Sequence, residues 1–234
     1  MFLWDSTMFI IIPAVILAFV AQMKVKAAFN KWSKVRARSG YTGAQTAAYL
    51  LKQGAARDPS AAATLSQVAI QSADGFLSDH YNPANRTLNL SPEVYQGDSI
   101  AALAIAAHET GHAFQHATAY GPLKIRSLLV PAAAASQLSW ILFIVGMFAR
   151  SAMLQNVAIY IFAGAVVFTL VTLPVEFNAS ARARAMLEQA GLVAPDEMAG
   201  VRSVLSAAAL TYVAAALMAV LQLLRMIFLR RSND

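Results

Sequence analysis

His108, Glu109 and His112 stand in the order H-E-x-x-H, a spacing that lets two imidazoles and a carboxylate serve one metal ion. A helix turns through roughly 400° over four residues, so the two histidines share a face about one turn apart. Neutral imidazole is a favoured ligand of zinc, and a hydrolytic zinc site keeps a position open for water. Glu109, beside the pair, is expected to act as a base and not as a ligand. It would accept a proton as water attacks a carbonyl and then pass it to the leaving amine. The plainer alternative is two surface histidines with an acid between them.

Two histidines leave such an ion short of the usual three protein ligands. Glu176, in Leu173-Pro174-Val175-Glu176-Phe177-Asn178-Ala179-Ser180, is the best candidate for the third. Two apolar segments separate it from the motif, and an even number of crossings returns the chain to the same face of a bilayer. The competing role for Glu176 is an interfacial acid capping the helix that carries Arg182 and Arg184. His116 continues the row of histidines but would lie about 12 Å along the axis from His108, too far to share an ion. His80 reads as a structural histidine of a hairpin with substrate contact as its alternative, and Asp98 as a helix cap.

The elements that must position these residues are legible around them. Asp98 to Ala107 is an alanine-rich run leading into the motif, so His108 and its neighbours should sit on a helix. At roughly ten residues its apolar part is too short to cross a membrane, and it should pack in a domain core or at the membrane surface. Upstream, Thr42 precedes a helical run from Gly43 to Lys52 that Gly54 is expected to end. Leu65, Val68 and Ile70, then Phe76 and Leu77, then Leu88 and Leu90 fall in short runs between turn residues and suggest a small sheet. Tyr81-Asn82-Pro83-Ala84-Asn85 reads as the turn of a hairpin whose second strand is Arg86 to Ser91, stopped by Pro92.

The rest of the chain is a membrane protein by composition. Of 234 residues, 58% are hydrophobic and 13% charged, which is too apolar for an ordinary soluble domain. With no cysteine, any metal must be held by His, Asp or Glu. The net charge of +6 lies beside apolar segments and not in an arm interleaved with aromatics, which argues against nucleic acid as a partner. Apolar segments near residues 7–23, 128–149, 153–173 and 207–229 approach the roughly 20 residues a helix needs to span. The first begins after Asp5 and reads as a retained anchor; the second and third, joined at Arg150-Ser151-Ala152, should form a tight hairpin. The fourth contains Arg225 and either spans or lies along the surface.

The fold expected is therefore mainly α, with about four transmembrane helices and a small α+β domain. The segments are an anchor at 1–26, a zincin-like domain at 27–127, a helical hairpin at 128–173, a segment with Glu176 and the following helix at 174–206, and a last membrane helix with its tail at 207–234. Lys24, Lys26, Lys31, Lys34, Arg36 and Arg38 after the first span, with Arg182, Arg184 and Arg202 later, are expected by the positive-inside rule to lie with the domain on the cytoplasmic side.

Together HETGHAFQ, the stretch SDHYNPANRTLNLSPEVY and the later LPVEFNAS resemble the bacterial membrane-bound neutral zinc metallopeptidases of the YugP type, over most of the chain. The resemblance implies a peptidase with one zinc ion on His108 and His112, Glu109 as base and, by analogy with gluzincins, Glu176 as third ligand. The chain is also distantly similar to the heat-shock and CAAX-processing membrane metalloproteases. In those an aspartate four residues after the third-ligand glutamate supports a zinc histidine; here that position is Ser180. Zincins commonly bind an extended peptide along an edge strand, and Thr87, Leu88, Asn89, Leu90 and Ser91 are the expected strand. The partners implied are a peptide or protein substrate and the lipid bilayer. A noncatalytic zinc-binding membrane scaffold or assembly factor is the alternative from another class. An intramembrane protease is disfavoured by the polarity of Glu109 to Tyr120.

Overall fold

The computed structural model describes residues 7–75 and 78–232. Phe76 and Leu77, expected in the sheet, lie outside them. In chain order the elements are α1 (Met8–Trp32), α2 (Gly43–Arg57), α3 (Pro59–Leu65), β1 (Ala69–Ser72), β2 (His80–Asn82), β3 (Thr87–Leu90), α4 (Pro92–Gln96), α5 (Ile100–Ala117), α6 (Gly121–Phe148), α7 (Ala152–Gln189) and α8 (Met198–Arg231). The fold is mainly helical with a small three-stranded sheet.

The chain divides into two compact units. One gathers Met1–Gln22, Pro122–Pro174 and Leu210–Asp234; the other gathers Met23–Gly121 and Val175–Ala209. Among the described residues, α1, α6, α7 and α8 are the helices long and apolar enough to cross a bilayer. The last apolar segment, left open by the sequence, thus belongs to a helix of spanning length. Within the first unit Leu128, Phe148 and Tyr160 are each at least 75% exposed, a pattern natural for lipid-facing surface and costly against water. Arg150 adopts φ +49° between α6 and α7, and Ser151 N–H bonds back to the Gly146 carbonyl, closing the expected hairpin.

In the second unit α5 is the central element. Its N-cap is Ser99, whose hydroxyl accepts the Ala102 N–H; Asp98 is not the cap expected from sequence but pairs with Arg36. The alanine run is buried on two sides. Ala101, Leu103, Ala104 and Ala107 pack with Phe29, Leu187 and Val201, while Ala102 and Ala106 pack with Leu88, Leu90 and Val94. Small side chains at these positions let a helix be enclosed all round without separating its neighbours.

Thr42 and Gln45 form the capping box that starts α2, as its sequence suggests. Gly54, however, does not end that helix. It lies inside α2, where an added Cβ would stand 2.0 Å from the Phe114 ring, so the glycine serves close approach to α5. Leu65, grouped with the strands by sequence, ends the short helix α3.

The sheet corrects one expectation that bears on function. Its order is β1-β3-β2, with β1 parallel and β2 antiparallel to β3. Thr87, Leu88, Asn89 and Leu90 therefore form the central strand, and Ser91 follows it as the N-cap residue of α4; none of these is on a free edge. The hairpin covers one side of β3 with β2, and the crossover from β1 covers the other. Leu88 and Leu90 are fully buried against Ala47, Val94, Ala102 and Ala106 on the face of the sheet.

Candidate active site

Helix α5 brings His108, Glu109 and His112 together, with one ligand atom of each within 4.8 Å of the others. Glu176, on α7 within the same unit, completes the cluster. Its Oε2 lies 3.3 Å from His108 Nε2 and 3.6 Å from His112 Nε2. One carboxylate oxygen thus faces the outer nitrogens of both imidazoles, and Glu176 is 3% exposed. Two imidazole nitrogens and a carboxylate oxygen, converging in a mostly buried place, are a donor set that fits zinc.

The approach of the two helices depends on Gly111. A Cβ there would stand 2.8 Å from the Ala179 carbonyl oxygen and 3.2 Å from its Cα, both main-chain atoms that cannot turn aside. Gly111→Ala is expected to push α5 and α7 apart, at a cost of about 1–3 kcal/mol. Thermal unfolding of the metal-free protein in detergent checks this, and an unchanged midpoint would mean that the helices have slack.

The inner nitrogens of the histidines are held as well. Ser180 Oγ lies 3.2 Å from His108 Nδ1, the position to which the sequence comparison directed attention. His112 Nδ1 lies 3.0 Å from Gln115 Oε1, a contact absent from the sequence reading. The available signal was spacing, because a residue three places after His112 shares its helix face. In the metal-free protein burial pulls the His112 pKa down, but the hydrogen bond with Glu176 and the charges of Glu109 and Glu176 outweigh it and raise it above the ordinary histidine value.

Glu109 is fixed from β2. Its Oε2 accepts the Tyr81 main-chain N–H at 2.9 Å. Tyr81 pairs with Leu88 in the antiparallel ladder, and its N–H points outward toward α5. The strand edge beside the acid is therefore β2. Asp79, one residue before β2, accepts the Ser91 N–H at 2.8 Å and contacts the Ser91 hydroxyl, anchoring the entry to the strand. Burial raises the Asp79 pKa against those hydrogen bonds, with the Glu109 charge adding to the rise.

The remaining histidines have other partners. Tyr81 Oη lies 2.8 Å from His116 Nδ1. Burial raises the phenol's pKa and, with a smaller push from Arg86, lowers that of His116, so both groups favour their neutral forms. His80 is exposed, with Nδ1 at 2.8 Å from the Ser78 carbonyl and Nε2 at 3.2 Å from the Asn89 amide.

A relative from Bacillus subtilis (strain 168), named "Putative membrane protease YugP", is 46% identical over 229 residues, covering 97% of this chain and 98% of its own length. No solved structure matches. The family described as "Putative neutral zinc metallopeptidase" matches residues 7–231. By a match that spans nearly its whole length, and with its H-E-x-x-H residues clustered on one helix, the chain belongs to that neutral zinc metallopeptidase family.

Proposed function

We propose that the protein is a membrane-integral zinc endopeptidase whose site faces the cytoplasm of a bacterial cell. The observation that carries this reading is the convergence of His108 Nε2 and His112 Nε2 on one buried oxygen of Glu176, with Glu109 on the same helix as the histidines. His108, His112 and Glu176 would hold a single zinc ion. Bound there, zinc supplies Lewis acidity, polarising a peptide carbonyl and lowering the pKa of water to about 7.

The chain's own groups do the rest. Glu109 takes up the proton released as water adds to the scissile carbonyl and hands it to the departing amine nitrogen. The Tyr81 N–H holds one oxygen of Glu109, leaving the other to move the proton. A substrate in extended conformation would lie along the outer edge of β2, in place of the strand first expected, where the Tyr81 N–H is already held by Glu109. The basic residues between Lys24 and Arg38 support the cytoplasmic placement by the positive-inside rule.

Metal removal tests the reading. Protein purified in detergent should contain about one zinc per chain and cleave an unfolded protein substrate. Treatment with a strong chelator should abolish cleavage, and one equivalent of zinc should restore it. Zinc retained at one per chain with no cleavage of any peptide in a broad library would favour the noncatalytic scaffold.

A further inference from the structure

The polarity of a hydrogen-bonded chain behind His112 can be worked out from its two ends. Arg182 can only donate, and its Nε lies 2.9 Å from Asn178 Oδ1. The Val175 main-chain carbonyl can only accept, and Gln115 Nε2 lies 2.8 Å from it. The same Gln115 nitrogen lies 3.0 Å from Asn178 Oδ1. An amide flipped at Gln115 would set its oxygen against two other oxygens, in a side chain with no exposure to water. Gln115 must therefore present Oε1 to His112 Nδ1, 3.0 Å away. An acceptor at that distance requires the proton on Nδ1, which leaves the lone pair of the neutral ring on Nε2, the nitrogen that faces Glu176.

We infer that Gln115 is the positioning residue of the site, fixing the tautomer and ring orientation of His112, with Asn178 and Arg182 holding the Gln115 amide in the required sense. The inference rests on the zinc site proposed above and adds to it how one ligand is made ready. It also gives a reason for a glutamine in the core: each of its polar atoms meets a group of opposite polarity, so its burial costs little. Ser180 does not have this property toward His108, because a hydroxyl can turn to donate or accept.

The test is zinc affinity, measured on the full-length protein in detergent by competition with a fluorescent chelator, alongside the melting temperature of each metal-free form. Gln115→Leu removes the acceptor and should weaken zinc binding about 10–100-fold, the usual cost of losing such a supporting contact. Asn178 is only half-buried, so its variants should fold even if Gln115→Leu does not. Asn178→Leu should weaken zinc binding as well, whereas Asn178→Asp, whose carboxylate accepts from both Gln115 and Arg182, should stay close to the wild type. Wild-type zinc affinity in Gln115→Leu or Asn178→Leu would overturn the inference. So would equal losses in Asn178→Leu and Asn178→Asp with matching drops in melting temperature, which would make the role structural only. His112→Ala serves as control. If it keeps full zinc affinity, the zinc site itself is wrong and the inference falls with it; if it loses zinc while Gln115→Leu does not, only the role of Gln115 fails.

Discussion

Glu176→Ala is expected to strip purified protein of nearly all its zinc and to abolish peptide cleavage. The argument begins with charge. Glu176 is 3% exposed, and among the described residues its Oε2 is the acid oxygen placed within 3.6 Å of both imidazole Nε2 atoms. Without it a divalent ion would sit among mostly buried groups with two neutral ligands and no charged one. Breaking a buried, paired charge by removing one partner typically costs about 3–5 kcal/mol, or roughly two to three and a half powers of ten in affinity. Glu176→Gln, which keeps the volume and removes the charge, should show most of the same loss. The metal-free protein should lose some stability too, because there the two imidazoles pair with Glu176 and outweigh its burial, so each variant's zinc is judged beside its own melting temperature. Elemental analysis of the two variants beside wild type decides the matter. Equal zinc in all three would return Glu176 to the role of an interfacial acid near Arg182 and leave the third ligand to be found elsewhere.

How much of this arrangement was legible before any coordinates depended on whether a feature was local. The spacing of His108 and His112 is a property of one helix, and the hairpin around Pro83 is carried by its own turn residues, so both could be read directly. The apolar spans followed from length alone, although helices run beyond them: α1 continues to Trp32, and α7 runs through Pro174, where its apolar composition ends, to Gln189. The features that escaped depend on a distant partner. Thr87 to Leu90 became central because β1 adds in parallel on the far side of β3, a pairing that a hairpin signal does not contain. Gly54 read as a stop, since glycine often is one, whereas its use is set by the Phe114 ring. Asp98 lost the cap to Ser99 because Arg36, 62 residues away, competes for its carboxylate. Gln115 was the costliest omission. His112 is one turn away on α5, but Val175 and Asn178 lie on α7, and the packing allowed by Gly111 brings them within reach.

Glu109→Gln should give the opposite dissociation from Glu176→Ala: zinc retained at about one per chain, and cleavage reduced by about 100- to 10,000-fold. The amide keeps the shape of the carboxylate, and its oxygen can still accept the Tyr81 N–H, so neither α5 nor β2 has cause to move. What the amide cannot do is take a proton from attacking water and return it to the leaving nitrogen. A general base contributes on that scale, so the loss should appear in kcat with the metal and the fold untouched. The comparison also separates the two classes of function. A scaffold that uses zinc for stability has no need of a base, and Glu109→Gln would then support the cell as well as wild type does. A peptidase would fail in the cell with its metal in place, as hydrolysis fails in the test tube. Cleavage near the wild-type rate in Glu109→Gln would remove Glu109 from the chemistry. Asp79, which feels the Glu109 charge from the adjoining end of β2, would then be the next acid to replace.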